Sequence, residues 1–307
     1  MEKTHMTILV TGGLGHIGSR LIQDLLVRDR VVVIDSLETQ RYSSIFALSG
    51  KNCIDFIEAD ISKVIPSALR DYQPISTVIH LAAKNHGQSS RSLEFEQNLK
   101  LTESAIQIAL YYSSHLIFPS SSSVYAQTAG IHDEKVALNF PVNKYSSVKL
   151  QEENLIMSSE LERWTILRLG TLHGVSPGMR FHTAVNKFCW DARTRGYIEV
   201  WESALDETKP YLSLDDCVSA LIFFTFNVNF ASGIWNLASN HHKTSEIVSL
   251  IQDFSKSKVD LRTVDSNFES SRSILLSLNK IDATGLKFKG SLTNDVKATL
   301  ELLNGLI

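Results

Sequence analysis

The chain predicts an α/β fold of the doubly wound, parallel-sheet class, and three observations carry the prediction. Short, β-branched apolar runs alternate with helical patterns through the first half of its 307 residues. A glycine-rich turn, Thr11-Gly-Gly-Leu-Gly-His-Ile-Gly18, joins the first run to the first helical segment. The second run ends in a carboxylate, Asp35, about 20 residues after the glycines.

Taken in order, Thr7-Ile8-Leu9-Val10 reads as a buried strand and 15–28 as a helix. A strand, a tight glycine turn and a helix N-terminus form a site for a dinucleotide pyrophosphate. Gly12 allows the turn, Gly15 lets the backbone approach the phosphates, and Gly18 lets the helix pack on the strand. His16 and Ile17 belong to the same turn. Val31 to Ile34 is the second strand. Asp35 after it can accept hydrogen bonds from both hydroxyls of an adenine ribose and repels a 2′-phosphate. Ser36 follows, and no cation comes before Arg41, so the expected cofactor is NAD rather than NADP.

Further strands are expected at 54–57, 77–81, 115–118 and 164–169, and helices at 93–112 and 143–158. Residues 1–169 therefore predict a Rossmann dinucleotide-binding domain. Beyond Leu169 the rhythm changes. The region 171–210 reads as irregular, broken by Gly174, Pro177, Gly178, Gly196 and Pro210. Strands near 197–201 and 234–238 and a helix at 292–304 complete the chain. Residues 170–307 thus predict a smaller C-terminal α/β portion, mainly substrate-binding. Its segment 208–240 is the one able to return to the Rossmann part.

Composition excludes several classes. A net charge of −3 offers no basic stripe for nucleic acid. No apolar run approaches the roughly 18 residues that span a bilayer. Met1 to Met6 lead straight into the first strand, which leaves no room for a signal peptide. Cys53, Cys189 and Cys217 lie far apart and lack ligand spacing, which suits reduced thiols in a cytoplasmic protein. The ten His form no HxxxH or HxxH pattern, and His241-His242 sit in a polar stretch read as a loop, so no metal site is expected.

Tyr145 and Lys149 stand at i and i+4, on one helical face. Alone, such a pair is an ordinary surface feature. The run Ser120-Ser121-Ser122-Ser123 changes its meaning, because it follows the strand 115–118 and such strand ends open onto the ligand crevice.

In these motifs the chain resembles the extended short-chain dehydrogenase/reductase superfamily, in its nucleotide-sugar epimerase and dehydratase branch. The matching residues are Thr11 to Gly18, Asp35, Asp60-Ile61, His80-Leu-Ala-Ala83, Asn98, Ser120 to Tyr125, Pro141 to Lys149, Arg168 and Lys209 to Asp216. The resemblance implies that Asp60 and Ile61 contact adenine, and that Leu81, Ala82, Ala83 and Asn98 shape the cofactor trench. It implies that Lys149 holds the nicotinamide ribose close to Tyr145. An ammonium about 4 Å from a phenol favours the phenolate by on the order of 4 kcal/mol at an effective dielectric near 20. Tyr145 is then the expected general base and Ser121 the residue that orients the sugar oxygen.

Ser122 and Ser123 occupy positions where the dehydratases carry an acidic pair, which argues against 4,6-dehydration. Lys209 stands where an Arg commonly grips a diphosphate, and Arg180 is the next candidate cation. Other departures are Ala126 for Gly, Thr171 for Asn, His173 for Tyr and Ser213 for His. The implied activity is NAD-dependent nucleotide-sugar epimerisation at C4 through a transient 4-keto sugar. The alternatives are a 4-dehydrogenase or 4-keto reductase with net NAD(H) turnover, motivated by Thr171, His173 and Ser213, or a non-catalytic NAD-sensing protein. Relatives pair the helices corresponding to 93–112 and 143–158 across a two-fold axis. The apolar Leu101, Ile108, Leu110, Val148, Leu155 and Ile156 on these helices therefore imply a homodimer.

Overall fold

Alternation along the strands decides how the layers assemble. In β1 (Thr7–Thr11), Ile8 and Val10 join one apolar cluster while Leu9 joins another; in β2 (Arg30–Asp35), Val31 and Val33 part from Val32 and Ile34 in the same way. Strands buried on both faces need helices on both sides. The computed structural model describes residues 6–48, 54–84, 92–125, 130–136, 138, 143–230, 232–265 and 273–305. Cys53, Ala126 and Pro141, singled out in the sequence, lie outside the described residues.

The first part continues through α1 (His16–Leu25), α2 (Tyr42–Phe46), β3 (Ile54–Glu58), β4 (Ile75–His80), α3 (Ser92–Tyr111), β5 (His115–Ser121), β6 (Ile131–His132), α4 (Lys144–Met157) and β7 (Trp164–Leu169). The second part adds β8 (Thr171–His173), α5 (Ala184–Arg195), β9 (Tyr197–Trp201), β10 (Thr208–Ser213), α6 (Leu214–Phe226) and β11 (Gly233–Leu237). It ends with β12 (Asn240–Lys243), α7 (Thr244–Phe254), β13 (Asp260–Val264), β14 (Leu275–Leu276), α8 (Asn279–Asp282) and α9 (Leu292–Leu302).

Seven strands form one parallel sheet in the order β11-β7-β5-β4-β1-β2-β3. This is the doubly wound Rossmann arrangement, with the strand order reversing beside β1. Leu21, Ile22 and Leu25 of α1 meet Cys217, Leu221 and Phe224 of α6 on one face. Leu101, Ala105 and Ile108 of α3 and Ile156 of α4 cover the other. The chain does return to the sheet after Leu169: β11 pairs with β7 and α6 packs on α1. By contrast β10 lies in a separate three-stranded sheet between β12 and β8. A further core gathers Val185 and Phe188 of α5, Ile247 and Ile251 of α7, and Val296 and Leu300 of α9.

Two readings of local structure are corrected. The region expected to be irregular, 171–210, contains α5, β8 and the start of β10 besides the strand expected at 197–201, which is β9. Its helix keeps apolar side chains at 185, 188, 189 and 192, a helical period that the flanking glycines and prolines obscured. His241 and His242 sit in β12 rather than a loop, and His241 Nε2 accepts the Leu276 N–H at 2.8 Å.

Candidate functional site

At the carboxyl ends of β1, β4, β5 and β7 the structure opens a cavity of about 600 Å³. Every residue named from the sequence as a cofactor, catalytic or substrate candidate lines it, Gly12 and Lys209 among them. The glycine turn forms the first wall. Gly12 has φ +65°, and a Cβ there would stand 2.6 Å from the Ala82 backbone. A Cβ on Gly18 would stand 2.5 Å from the Gly13 carbonyl, so this glycine packs the helix against the turn itself rather than against the strand. Among the described residues no side-chain cap closes the N-terminus of α1, which leaves its first N–H groups directed at the cavity. A cradle of this shape with an open helix start fits the pyrophosphate of NAD.

Asp35 is held rigidly at the end of β2. Its Oδ2 accepts the Leu14 N–H and its Oδ1 the Leu37 N–H, each at 3.0 Å. Arg41, noted in the sequence only for its distance from Asp35, folds back into the same cavity and donates to the Gly178 carbonyl at 2.8 Å. Burial, aided by the charge of Arg180 and opposed by Asp35, pulls its pKa down to about 10. The loop 174–180 is fastened over the turn. His16 Nε2 donates to the Gly174 carbonyl, Ser176 Oγ to the His16 carbonyl, and Gly178 N to Ser19 Oγ. Thus the second part of the chain closes one side of the trench.

Asp60 accepts from the N–H and hydroxyl of Ser62 and so starts the short turn that presents Ile61. Burial of this carboxylate is outweighed by those hydrogen bonds and by Lys84 and Lys63, so its pKa falls below the usual value. Asn98 binds both backbone groups of Lys84, at 2.7 and 3.1 Å, and clamps the segment Leu81-Ala82-Ala83 that forms the trench floor.

Tyr145 and Lys149 come from the start of α4, where Asn143 and Ser146 form a capping box. Ser121, at the end of β5, accepts the Ser123 N–H and faces the same corner, with Ser122 beside it. Lys149 is 6% exposed, its Nζ 3.0 Å from Glu152 Oε2 and 4.5 Å from the Phe118 ring centre. Burial alone would discharge this ammonium, but Glu152, then Tyr145 and Glu153, raise its pKa above the ordinary lysine value. The helix is pinned to the sheet by Glu153, which takes Arg168 Nη2 at 2.6 Å and the Ser120 hydroxyl.

Thr171, Arg180 and Lys209 line the same cavity, joined by His182 and Thr183, which sequence reasoning missed. Lys209 Nζ lies 3.0 Å from Glu207 Oε2. Two of the departures noted in the sequence are not part of this wall. His173 and Ser213 are each 1% exposed and both contact Asp295 Oδ2, at 2.7 and 2.8 Å. They bear on packing behind the cavity, which removes them as grounds for net redox chemistry. Among the described residues no group of three or more His, Cys, Asp or Glu could hold a metal ion, and no helix is long and apolar enough to cross a membrane.

Fold and cavity together define a Rossmann protein in which the glycine turn, Ser121, Tyr145 and Lys149 line one cavity. Residues 8–238 match the model of the NAD dependent epimerase/dehydratase family, and the chain belongs to that family of NAD-dependent enzymes. A UDP-glucose 4-epimerase of Erwinia amylovora is 35% identical over 164 residues, which cover 49% of this chain and 48% of that one. The match thus spans about half of that relative. An ADP-L-glycero-D-manno-heptose-6-epimerase of Brachyspira hyodysenteriae is 23% identical over 266 residues, 81% of each chain. In three dimensions the fold is similar to the UDP-glucuronic acid 4-epimerase of Bacillus cereus, with TM-score 0.84 and 23% identity over 98% of this chain and 100% of that one.

Proposed function

We propose that this chain is a nucleotide-sugar 4-epimerase. The observation that carries the reading is that Ser121, Tyr145 and Lys149 share one cavity with the glycine turn and Asp35. NAD, when bound, supplies a reversible hydride acceptor. Tyr145 takes the proton of the sugar 4-hydroxyl and later returns it. Ser121 hydrogen-bonds the same oxygen, and the Lys149 ammonium favours the phenolate and holds the ribose of the cofactor. Tyr145 returns the proton to the sugar oxygen, and with a hydride delivered to C4 from its opposite face the reaction would invert C4 with no net redox change. Serines at 122 and 123 provide no acid for water elimination.

Asp60 and Ile61 serve adenine, Asp35 and Ser36 the adenosine ribose, and Arg180 and Lys209 the substrate diphosphate, with Thr171 near the sugar. The relatives that act on UDP-sugars support starting with that nucleotide. Buried free thiols at Cys189 and Cys217 support a cytoplasmic setting. The outer faces of α3 and α4 support a homodimer.

The test is incubation of the protein, without added NAD, with UDP-, dTDP-, GDP-, CDP- and ADP-sugars. The expected result is conversion of one of them to an equilibrium mixture of C4 epimers with no accumulation of NADH. Tyr145→Phe is expected to lower the rate at least about 10²-fold while leaving NAD affinity close to normal. Stoichiometric NADH release without epimer would assign the chain to net oxidation instead.

A further inference from the structure

In the polar run Gln151-Glu152-Glu153 of α4, both glutamates are buried, and only one of them serves the scaffold. Glu153 is neutralised by Arg168. Glu152, 1% exposed, turns instead towards α3 and β4. Its Oε2 is 3.0 Å from Lys149 Nζ and its Oε1 accepts the Thr102 hydroxyl at 2.8 Å.

The rest of the arrangement follows from proton counting. Thr102 has one hydroxyl proton and gives it to Glu152, so towards His80 Nε2, 3.3 Å away, its oxygen can only accept. The His80 ring is neutral, since burial and then the Lys149 charge pull its pKa down to about 3. Its Nδ1 is therefore the acceptor and takes the Thr11 hydroxyl at 2.7 Å, while Thr11 Oγ1 accepts the Ala82 N–H at 3.3 Å. All donors point one way, from the trench floor to a carboxylate at position 152.

We propose that Glu152 is a positioning residue for catalysis: it keeps the buried Lys149 charged and in place, so that Tyr145 can act as a base. The proposal rests on the role given to Tyr145 above. The charged and titratable groups facing Lys149 are Tyr145, Glu152 and Glu153 from α4 and His80 from β4, while β5 contributes only the Phe118 ring. Glu153 is matched by Arg168 from β7, and His80 carries no charge. Glu152 is left as the counter-ion. A lysine ammonium so deeply buried loses its proton readily without one, and a neutral Lys149 no longer favours the phenolate. The pairing uses one N–H of the ammonium and leaves two for the ribose and Tyr145.

The test needs no sugar substrate, so failure of the epimerase reading leaves it intact. The NAD-bound protein is titrated from neutral to alkaline pH while the ultraviolet tyrosinate band is followed. The curve of a Tyr145→Phe counterpart is subtracted, for the native chain and for Glu152→Gln alike. The Tyr145 band is expected to move to higher pH by about one unit in Glu152→Gln, roughly a tenfold loss of phenolate at a given pH. Glu152→Asp is expected to fall between the two. Coincident curves, or a move to lower pH, overturn the proposal. If Glu152→Gln does not fold, Thr102→Val, which removes the donor but keeps the shape, is expected to give a smaller move in the same direction. Its coincidence with the native curve overturns the proposal equally.

Discussion

Asp35 and Arg41 carry opposite charges in the same cavity, and on the proposed function their balance is expected to set cofactor choice. The carboxylate is fixed by two backbone N–H groups, and in the proposed reading it meets the ribose hydroxyls where NADP would carry its 2′-phosphate. Arg41 stands ready as a cation beside it. Asp35→Ala is therefore expected to weaken NAD about tenfold, a ribose contact of about 1.4 kcal/mol, and to tighten NADP, since the Arg41 charge is then no longer offset by a carboxylate. Calorimetric titration of both cofactors checks this, and an unchanged NAD-to-NADP affinity ratio contradicts it. Asp35, Tyr145 and Lys149 were legible in the sequence because each belongs to a pattern of fixed local spacing. Arg41, His182 and Glu152 were not. Their surroundings depend on Gly178, Arg180 and Thr102: Gly178 and Thr102 are brought near by the fold, and Arg180, already named from the sequence, bears on His182 beside His16 and Arg41, which the fold brings there. A run such as Gln151-Glu152-Glu153 reads as a solvated face until the neighbouring helix is placed.

At the scale of elements, six of the seven strands of the first part were legible because β-branched runs bounded by helical patterns have few other readings, whereas the two-residue β6 is too short to carry such a pattern. The same reasoning overcounted the spare apolar surface of α3 and α4. Leu101, Ile108, Val148 and Ile156 face the interior, at 6, 0, 8 and 0% exposure. What remains outside is a groove between the two helices lined by Leu99, Glu103, Gln151, Leu155 and Met157, with Leu110 and Tyr111 exposed further along α3. A groove that mixes apolar Leu99, Leu155 and Met157 with polar Glu103 and Gln151 suits an isologous contact, in which each groove meets its own copy. The chain is expected to sediment as a dimer at micromolar concentration. The double variant Leu99→Glu with Met157→Glu is expected to sediment as a monomer with an unchanged circular dichroism spectrum. A native species that is already monomeric removes the interface.

The whole molecule carries a pH dependence that links its core to its site. His16, His80 and His115 are each buried, and burial is the first cause that lowers their pKa, to about 4, 3 and 4. Folded, they stay neutral well below the ordinary value of 6.5, whereas the unfolded chain takes up a proton at each. Their stabilising contribution is therefore complete above pH 6.5 and is lost as the pH falls from there towards 4. With about 1.36 kcal/mol per unit for each group, three of them remove on the order of 4 kcal/mol of stability per pH unit in that window. Against a total stability of roughly 5–15 kcal/mol, a fold in the lower half of that range is expected to fail between about pH 5 and pH 4. The urea midpoint is accordingly expected to be flat from pH 7 to 8 and to drop steeply below pH 6.5; a flat profile down to pH 5 contradicts the buried-histidine account. His16 and His80 also border the cavity, so the ligand opposes the same transition. NAD at 100 times its dissociation constant adds about 2.7 kcal/mol to the folded state. Divided by the slope above, this is expected to move the acid midpoint down by about 0.7 pH unit.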